Sequence, residues 1–285
     1  MTNQNNPLSS YYRNPKMYVT LPSKGVFYNK DIVDMPENGE LPVFPMTAKD
    51  EVLTKNPDAL LNGEAVSQLI LSCVPNVKQP LALITNDVNV LLVAIQGASN
   101  NDELTVSATC PECESTVEGV AAASSAIDSM RLLEQTYEFT TKDDLLVEVR
   151  PITYSSTIKA GLATFKASRS FEGMAQIEDD DERLRVFNEN FVKMSEMNFE
   201  ILVDSINSIT IGKGEDLTVV TDRAHIRDYM LNCEAEVGRE IETLVGEINN
   251  IGLDNTVGFV CDDEKCSHEF ESKVNFDPVN FFTTS

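Results

Sequence analysis

The spacing of apolar residues changes period several times along this chain, and each change marks an element. From Thr47 the period is helical. Thr47 followed by Asp50 has the form of a capping box. That helix has to end before Asn56-Pro57, because a residue preceding proline avoids the α region. GEAVSQLILSCV (63–74) puts Ala65, Leu69, Ile70 and Cys73 on one stripe, which predicts a second helix with Cys73 as a small buried residue. PLALITNDVNVLLVAIQ predicts a third, capped near Thr85 or Asn86. The three form a compact helical unit over 47–100.

The period then falls to two. In ELTVSATCPECESTVEGV, Leu104, Val106 and Ala108 alternate with polar residues, and Val117 and Val120 follow a close cysteine pair. This is the pattern of a β-hairpin with Cys-x-x-Cys at its turn. EFTTKDDLLVEVRPI (138–152) predicts a further strand or hairpin, stopped by Pro151. Helical spacing returns in YSSTIKAGLATFKASRSFEGM and in RLRVFNENFVKMSEMNFEILVDSINSI. The acidic run EDDDER (178–183) lies at the start of the latter, where the helix dipole favours negative charge. ITIGKGEDLTVV predicts a short hairpin around Gly212-Lys213-Gly214, a turn too sparse in glycine to be a phosphate loop. Two more helices follow: TDRAHIRDYMLN, capped at Thr221 or Asp222, and EAEVGREIETLVGEINNI.

Before Thr47 the chain is broken by Pro15, Pro22, Pro36, Pro42 and Pro45 among short apolar runs, which predicts extended segments and turns lying along other elements. LPSKGVFY turns at Lys24-Gly25, either against the protein's own core or as an arm gripping a neighbour. The expected fold class is α+β and mainly helical. Its expected organisation is an N-terminal extended arm (1–46), the helical unit (47–100), a β-rich split zinc ribbon (101–152 plus 252–285) and a helical insert (153–251).

Charge narrows the function classes. With 46 acidic against 22 basic residues the net charge is −24 over 285 residues. Such a surface repels phosphate backbones and anionic lipid, so binding to nucleic acid or to a membrane by charge is not expected. MTNQNNPLSS has neither the basic nor the apolar region of a signal peptide. The longest apolar stretch, VNVLLVAI (88–95), is well short of the roughly 20 residues of a membrane span. The expected site of synthesis is the cytosol, where thiols stay reduced and close cysteines favour metal over disulfides.

Cys110 and Cys113 are then half of a metal site, and the other half lies near the end of the chain. NTVGFVCDDEKCSHEFESKVNF repeats the local grammar of the first hairpin: Val257 and Phe259 lead into Cys261 and Cys266, and alternation resumes at Phe270, Val274 and Phe276. Two such knuckles build a zinc ribbon, with four thiolates closing a tetrahedron. Cys110, Cys113, Cys261 and Cys266 are the expected ligands of one structural Zn²⁺. The gap from Cys113 to Cys261, 148 positions, far exceeds the roughly 15–20 of a simple ribbon. His268 is an alternative fourth ligand. A redox role for Cys110 and Cys113 would need a strand-to-helix setting. Cys233 lies on a helix and reads as core.

No catalytic constellation is legible. The two histidines, His225 and His268, are far apart in sequence, and no nucleophile elbow, His-Glu-x-x-His or Walker pattern occurs. The expectation is a non-enzymatic protein that works through contacts with other proteins and takes no small-molecule substrate.

The order LPSKGVFY, MTAKDEVL, ALLNGEAVSQLILSCV, VLLVAIQGAS and then a Cys-Pro-x-Cys hairpin resembles the T-even-type baseplate proteins of contractile-tailed phages, a family related to the baseplate hub subunit. The resemblance spans about residues 17–152, with the second cysteine pair and the terminal VNFDPVNFF also similar. The matching residues are Leu21 to Gly25, Thr47 to Asp50 and Asn62-Gly63-Glu64. The resemblance implies a structural or assembly component of the baseplate hub, located in the virion tail after assembly in the host cytoplasm. Its partners would be other baseplate and tail proteins. Two alternatives stay open: a tail assembly chaperone absent from the finished virion, and a zinc-ribbon regulator that binds a polymerase or nucleic acid. Phe281 and Phe282 near the C-terminus would tuck onto the protein itself or plug into a partner.

Overall fold

A computed structural model describes residues 6–174, 179–212, 216–254, 256–263 and 265–273. The C-terminal stretch with Val274, Phe276, Phe281 and Phe282, the Lys213-Gly214 turn and Glu178 lie outside the described residues. The fold mixes helices with small antiparallel sheets.

The N-terminal segment packs on its own chain. β1 (Met17–Val19) pairs antiparallel with β2 (Leu41–Val43), and Val19, Leu21, Leu41 and Val43 are all buried. Between them the chain turns at Lys24 and Gly25, both at positive φ. A side chain on Gly25 would also meet Met35, so glycine is required there twice over.

The helical unit follows the sequence pattern closely. α1 (Ala48–Thr54) opens with the full capping box: Thr47 Oγ1 accepts from Asp50 N, and Asp50 Oδ2 accepts from Thr47 N at 2.8 Å. Asn56-Pro57 ends it and starts a one-turn helix, α2 (Pro57–Leu61), which the pattern did not suggest. α3 (Glu64–Cys73) buries Ala65, Val66, Leu69, Ile70 and Cys73. α4 (Thr85–Ser99) is buried over most of its length, and its residues form the middle of the first core. Neither Thr85 nor Asn86 caps it. Ile84 holds that position without a side-chain bond, because both polar side chains are used elsewhere. Thr85 Oγ1 is 2.6 Å from Thr157 Oγ1, and Asn86 reaches the far end of another helix.

After α4 come β3 (Glu103–Thr109) and β4 (Thr116–Ala122), then the short α5 (Ala123–Asp128). Asp102 starts α5 by accepting from Ser124 N at 2.7 Å and Ser124 Oγ at 2.5 Å. β5 (Tyr137–Thr140) and β6 (Leu146–Val149) form the next hairpin. α6 (Tyr154–Met174) and α7 (Asp180–Ser205) then form a long helical hairpin, and Asp179 caps α7 by accepting from Asp181 N and Glu182 N.

The sequence pattern carried the α7 helix on to Ile209, but the helix stops at Ser205 and Ile206–Ile211 is a strand, β7. The β-branched Ile206 and Ile209 pair with Val149 and Val147 of β6 and are buried against it, which outweighs continued helix. β8 (Thr218–Val220) completes a sheet of order β5-β6-β7-β8. The segment read as a helical insert therefore supplies two strands to the sheet begun before it. α8 (Arg223–Asn232), capped by Asp222, and α9 (Ala235–Asn249) cover that sheet. Ile226 and Met230 from α8 and Ile241, Val245 and Ile248 from α9 meet Val147, Val149, Ile206 and Ile209 in a second core. The chain closes with the hairpin of β9 (Thr256–Val260) and β10 (Glu269–Lys273).

Backbone bonds link the segments on either side of the boundary between the two cores. Thr85 N donates to Ile152 O at 3.0 Å, Tyr154 N to Leu83 O at 2.7 Å, and Arg131 N to Gly252 O at 2.8 Å. Asn86 Nδ2 donates to Ile248 O, Asn249 O and Ile251 O at 3.0, 3.4 and 2.7 Å. One amide side chain in the first turn of α4 thus takes two of the orphan carbonyls that every helix leaves at its C-terminus, here Ile248 and Asn249 of α9, and a third just past that helix.

Candidate metal centre

The candidate site is made by two hairpins that sequence separates and packing joins. In the first, β3 and β4 pair from Glu103↔Ala122 to Thr109↔Thr116, so Cys110 leaves the end of one strand and Cys113 sits in the turn. Backbone bonds shape that turn: Cys110 N donates to Ser115 O, and Glu114 N donates to Cys110 O, each at 2.9 Å. Glu114 takes a left-handed φ of 58° to close it. The second hairpin follows the same plan. Cys261 N donates to His268 O at 2.9 Å, and Cys266 N and Ser267 N both donate to Asp263 O at 2.9 Å.

Apolar packing brings the hairpins together. Phe259 of β9 is buried with Leu104, Val106 and Val117 in the first core. It lies over Gly119 of β4, where an added Cβ would come within 3.2 Å of the ring. On its other side Phe259 stacks on Phe270 with centroids 5.6 Å apart. The alternation that predicted each strand is therefore also what docks one hairpin on the other.

The result is a cluster of four thiols. Cys110, Cys113, Cys261 and Cys266 have Sγ atoms all within 4.8 Å of one another. Cys110 and Cys266 are 3.8 Å apart, and Cys113 and Cys261 are 3.5 Å apart. Both separations are far too long for a disulfide bond of about 2.05 Å. They fit a different geometry. A tetrahedral Zn²⁺ with Zn–S bonds of about 2.3 Å places its sulfurs about 3.8 Å apart. The donor set and its spacing therefore suit a thiolate-bound metal. Among the described residues this is the one group of three or more potential ligands that converges in this way.

The four residues differ in environment. Cys110 and Cys261 are buried, Cys266 is half-buried and Cys113 is exposed. The Ser115 hydroxyl and N–H beside Cys113 hold its thiol down at about 6. At Cys266 the His268 N–H acts in the opposite sense, but desolvation and the three neighbouring thiols outweigh it and push that thiol up to about 12. Four thiols this close share protons as a group. Ser115, whose Oγ lies 2.9 Å from Cys113 Sγ and 3.4 Å from Cys261 Sγ, is a contributor that the cysteine spacing alone does not reveal. His268 takes no place in the cluster; its ring stacks on Phe270 with planes 7° apart.

The remaining candidates fall elsewhere. Cys73 is buried in the first core, its thiol pushed up to about 11 by desolvation. Arg13 spans this region, its Nη2 donating to Ser72 O at 2.7 Å and Ser72 Oγ at 2.8 Å, with its Nη1 near Asp50 and Cys73. Cys233 is just past the end of α8, half-buried against the second core. His225 stands on the surface, with its side chain 78% exposed.

The chain thus joins two cores and gathers four thiols from two distant hairpins. Sequence comparison gives it a family: the family described as "T4 bacteriophage base plate protein" matches residues 28–283, nearly the whole chain. The protein belongs to that family, which makes it a component of a phage tail baseplate. No curated protein and no solved structure matches it.

Proposed function

We propose that this protein is a non-enzymatic structural or assembly component of the baseplate hub of a contractile-tailed phage. It works through contacts with other baseplate and tail proteins, and one structural Zn²⁺ braces its fold. The observation that carries the metal part is the set of four cysteine sulfurs within 4.8 Å of one another, two of the separations being 3.8 and 3.5 Å and so close to the edge of a thiolate tetrahedron, supplied by hairpins 148 positions apart. Cys110, Cys113, Cys261 and Cys266 would hold the ion. Four protein thiolates leave no coordination position for water or substrate, so the ion would act as a cross-link in a split zinc ribbon. It would tie the end of the chain to the strands that follow α4.

The net charge of −24 supports protein partners over nucleic acid. Mass spectrometry of purified virions tests the placement. A stoichiometric presence in mature tails is the expected result. Detection only in assembly intermediates would instead make the protein an assembly chaperone. A gel shift at low salt separates off the regulator reading: tight DNA binding would overturn the structural role.

A further inference from the structure

We propose that the groove between β5 and α9 takes an extended, cationic segment of a partner protein as an added strand of the β5–β8 sheet. This inference rests on the second core and is independent of the metal centre.

The first observation is an open sheet edge. β5 is the outer strand of the sheet order β5-β6-β7-β8. Thr141 N donates to Leu145 O at 2.9 Å, which fixes that pair as hydrogen-bonded. Bonded and non-bonded pairs alternate along an antiparallel ladder, so Tyr137 and Phe139 turn their backbone groups towards β6. The N–H and C=O of Glu138 and Thr140 then face outward. Among the described residues no strand pairs with them. Such a row of free donors and acceptors is a template for strand addition.

The second observation is the groove beside that edge. A cavity of about 520 Å³ lies between β5 and α9. Its apolar contribution is Phe139 and Leu244. On α9, Glu236, Glu240, Leu244 and Glu247 share a face because they recur at helical spacing, one step round from the buried Ile241, Val245 and Ile248. The helix is thus held against the sheet by one stripe and presents the neighbouring stripe to the open edge. An open strand edge beside a helix wall, with an apolar floor, is a surface that main-chain bonds and alternate side chains can fill.

The third observation is charge, and it selects the occupant. Glu138, Glu236, Glu240 and Glu247 surround the groove, against the single cation Arg239. Lys142 pairs with Glu236 at one end. No side-chain hydrogen bond or ion pair among the described residues engages the carboxylates of Glu138, Glu240 or Glu247. Alternate side chains of a strand face opposite sides of the sheet, so in the row that faces α9 an aliphatic residue would sit on Phe139 and Leu244 with Lys or Arg on either side of it among Glu236, Glu240 and Glu247, and a cation in the other row would meet Glu138.

The test uses the full chain and a fluorescein-labelled peptide, Lys-Thr-Val-Lys-Lys-Thr, which puts Lys, Val and Lys in one row and a Lys in the other, read by fluorescence anisotropy. Saturable binding is expected, with slowed amide exchange at Glu138 and Thr140. Affinity should fall at least about tenfold for a peptide N-methylated at alternate backbone positions, for Thr140→Pro, and for Glu240→Lys with Glu247→Lys. All three protein substitutions lie on the surface, and the double lysine variant keeps the test valid should the proline variant fold poorly. Absence of saturable binding, or equal binding by the N-methylated peptide, overturns the proposal, since the latter outcome would mean attraction by charge alone.

Discussion

The Tyr28 hydroxyl donates to Asp87 Oδ2 at 2.5 Å, joining the N-terminal segment to the first turn of α4 across 59 positions of sequence. Ser23 adds its N–H to Asp87 Oδ1 at 3.0 Å and its hydroxyl to Oδ2 at 2.5 Å. Asp87 is fully buried, and desolvation raises its carboxyl to about 6 in spite of these three bonds. The same burial and the facing carboxylate push the Tyr28 phenol well above its usual range.

This fixes a pH dependence. The folded value of about 6 lies above the ordinary 3.8, so the folded state holds the proton more tightly than the unfolded chain. The contribution of Asp87 to stability is therefore full below 3.8, declines as pH rises to about 6, and is constant beyond. Two pKa units correspond to about 3 kcal/mol. Asp87→Asn removes the titration and keeps the shape. Urea unfolding of both proteins at pH 4, 5, 6 and 7 should show wild type losing stability relative to the variant up to pH 6 and not above. A difference independent of pH would contradict the assignment.

Asn86 makes a second prediction. Its amide nitrogen serves three carbonyls at the end of α9. Asn86→Ala leaves them unpaired in a buried site and should cost about 1–3 kcal/mol. Asn86→Asp, which sets a carboxylate against carbonyl oxygens, should cost more. Chemical denaturation that found the aspartate variant the more stable of the two would refute the donor role.

Gly63 makes a third. It opens α3 at φ 74°, and a Cβ there would collide with the Ile158 side chain of α6. Gly63→Ala should destabilise by about 1 kcal/mol or more from backbone strain, with steric overlap added. Adding Ile158→Ala should recover the steric part and leave the strain. Thermal melting of the single and double variants checks this, and strictly additive losses would contradict the contact.

Local grammar was legible in the sequence wherever one residue decides one element. Thr47 and Asp50 predicted their capping box, Thr221-Asp222 narrowed the start of α8 to two residues of which Asp222 is the cap, and alternation around each cysteine pair predicted both hairpins. Long-range effects were not legible. Nothing local says that Asn86 serves α9 instead of capping α4, or that Ile206 and Ile209 pair with β6 and cut α7 short. Those outcomes depend on which surfaces meet, and in both cases tertiary bonding overrode a local preference. The convergence of the four cysteines was legible because two close pairs sat at matching hairpin turns, while Ser115 was not, because a serine beside a thiol carries no spacing signal.

The metal proposal predicts a structural consequence. Thiolate ligation of a structural zinc contributes directly to folding. Cys110→Ser or Cys261→Ser, at the two buried positions, should abolish metal retention and lower the melting temperature. Chelator treatment of wild type should produce the same shift, and a chelator should leave the melting of either variant unchanged. Unaltered melting of wild type after the metal is stripped would show that the hairpins need no brace.

The most direct test is X-ray absorption at the zinc edge on the purified full chain, together with a metal count. The account predicts about one zinc per chain with four sulfur neighbours at about 2.3 Å and no oxygen or nitrogen in the coordination shell. Protein purified under reducing conditions that carries no zinc, or zinc with a water or imidazole ligand, would contradict it.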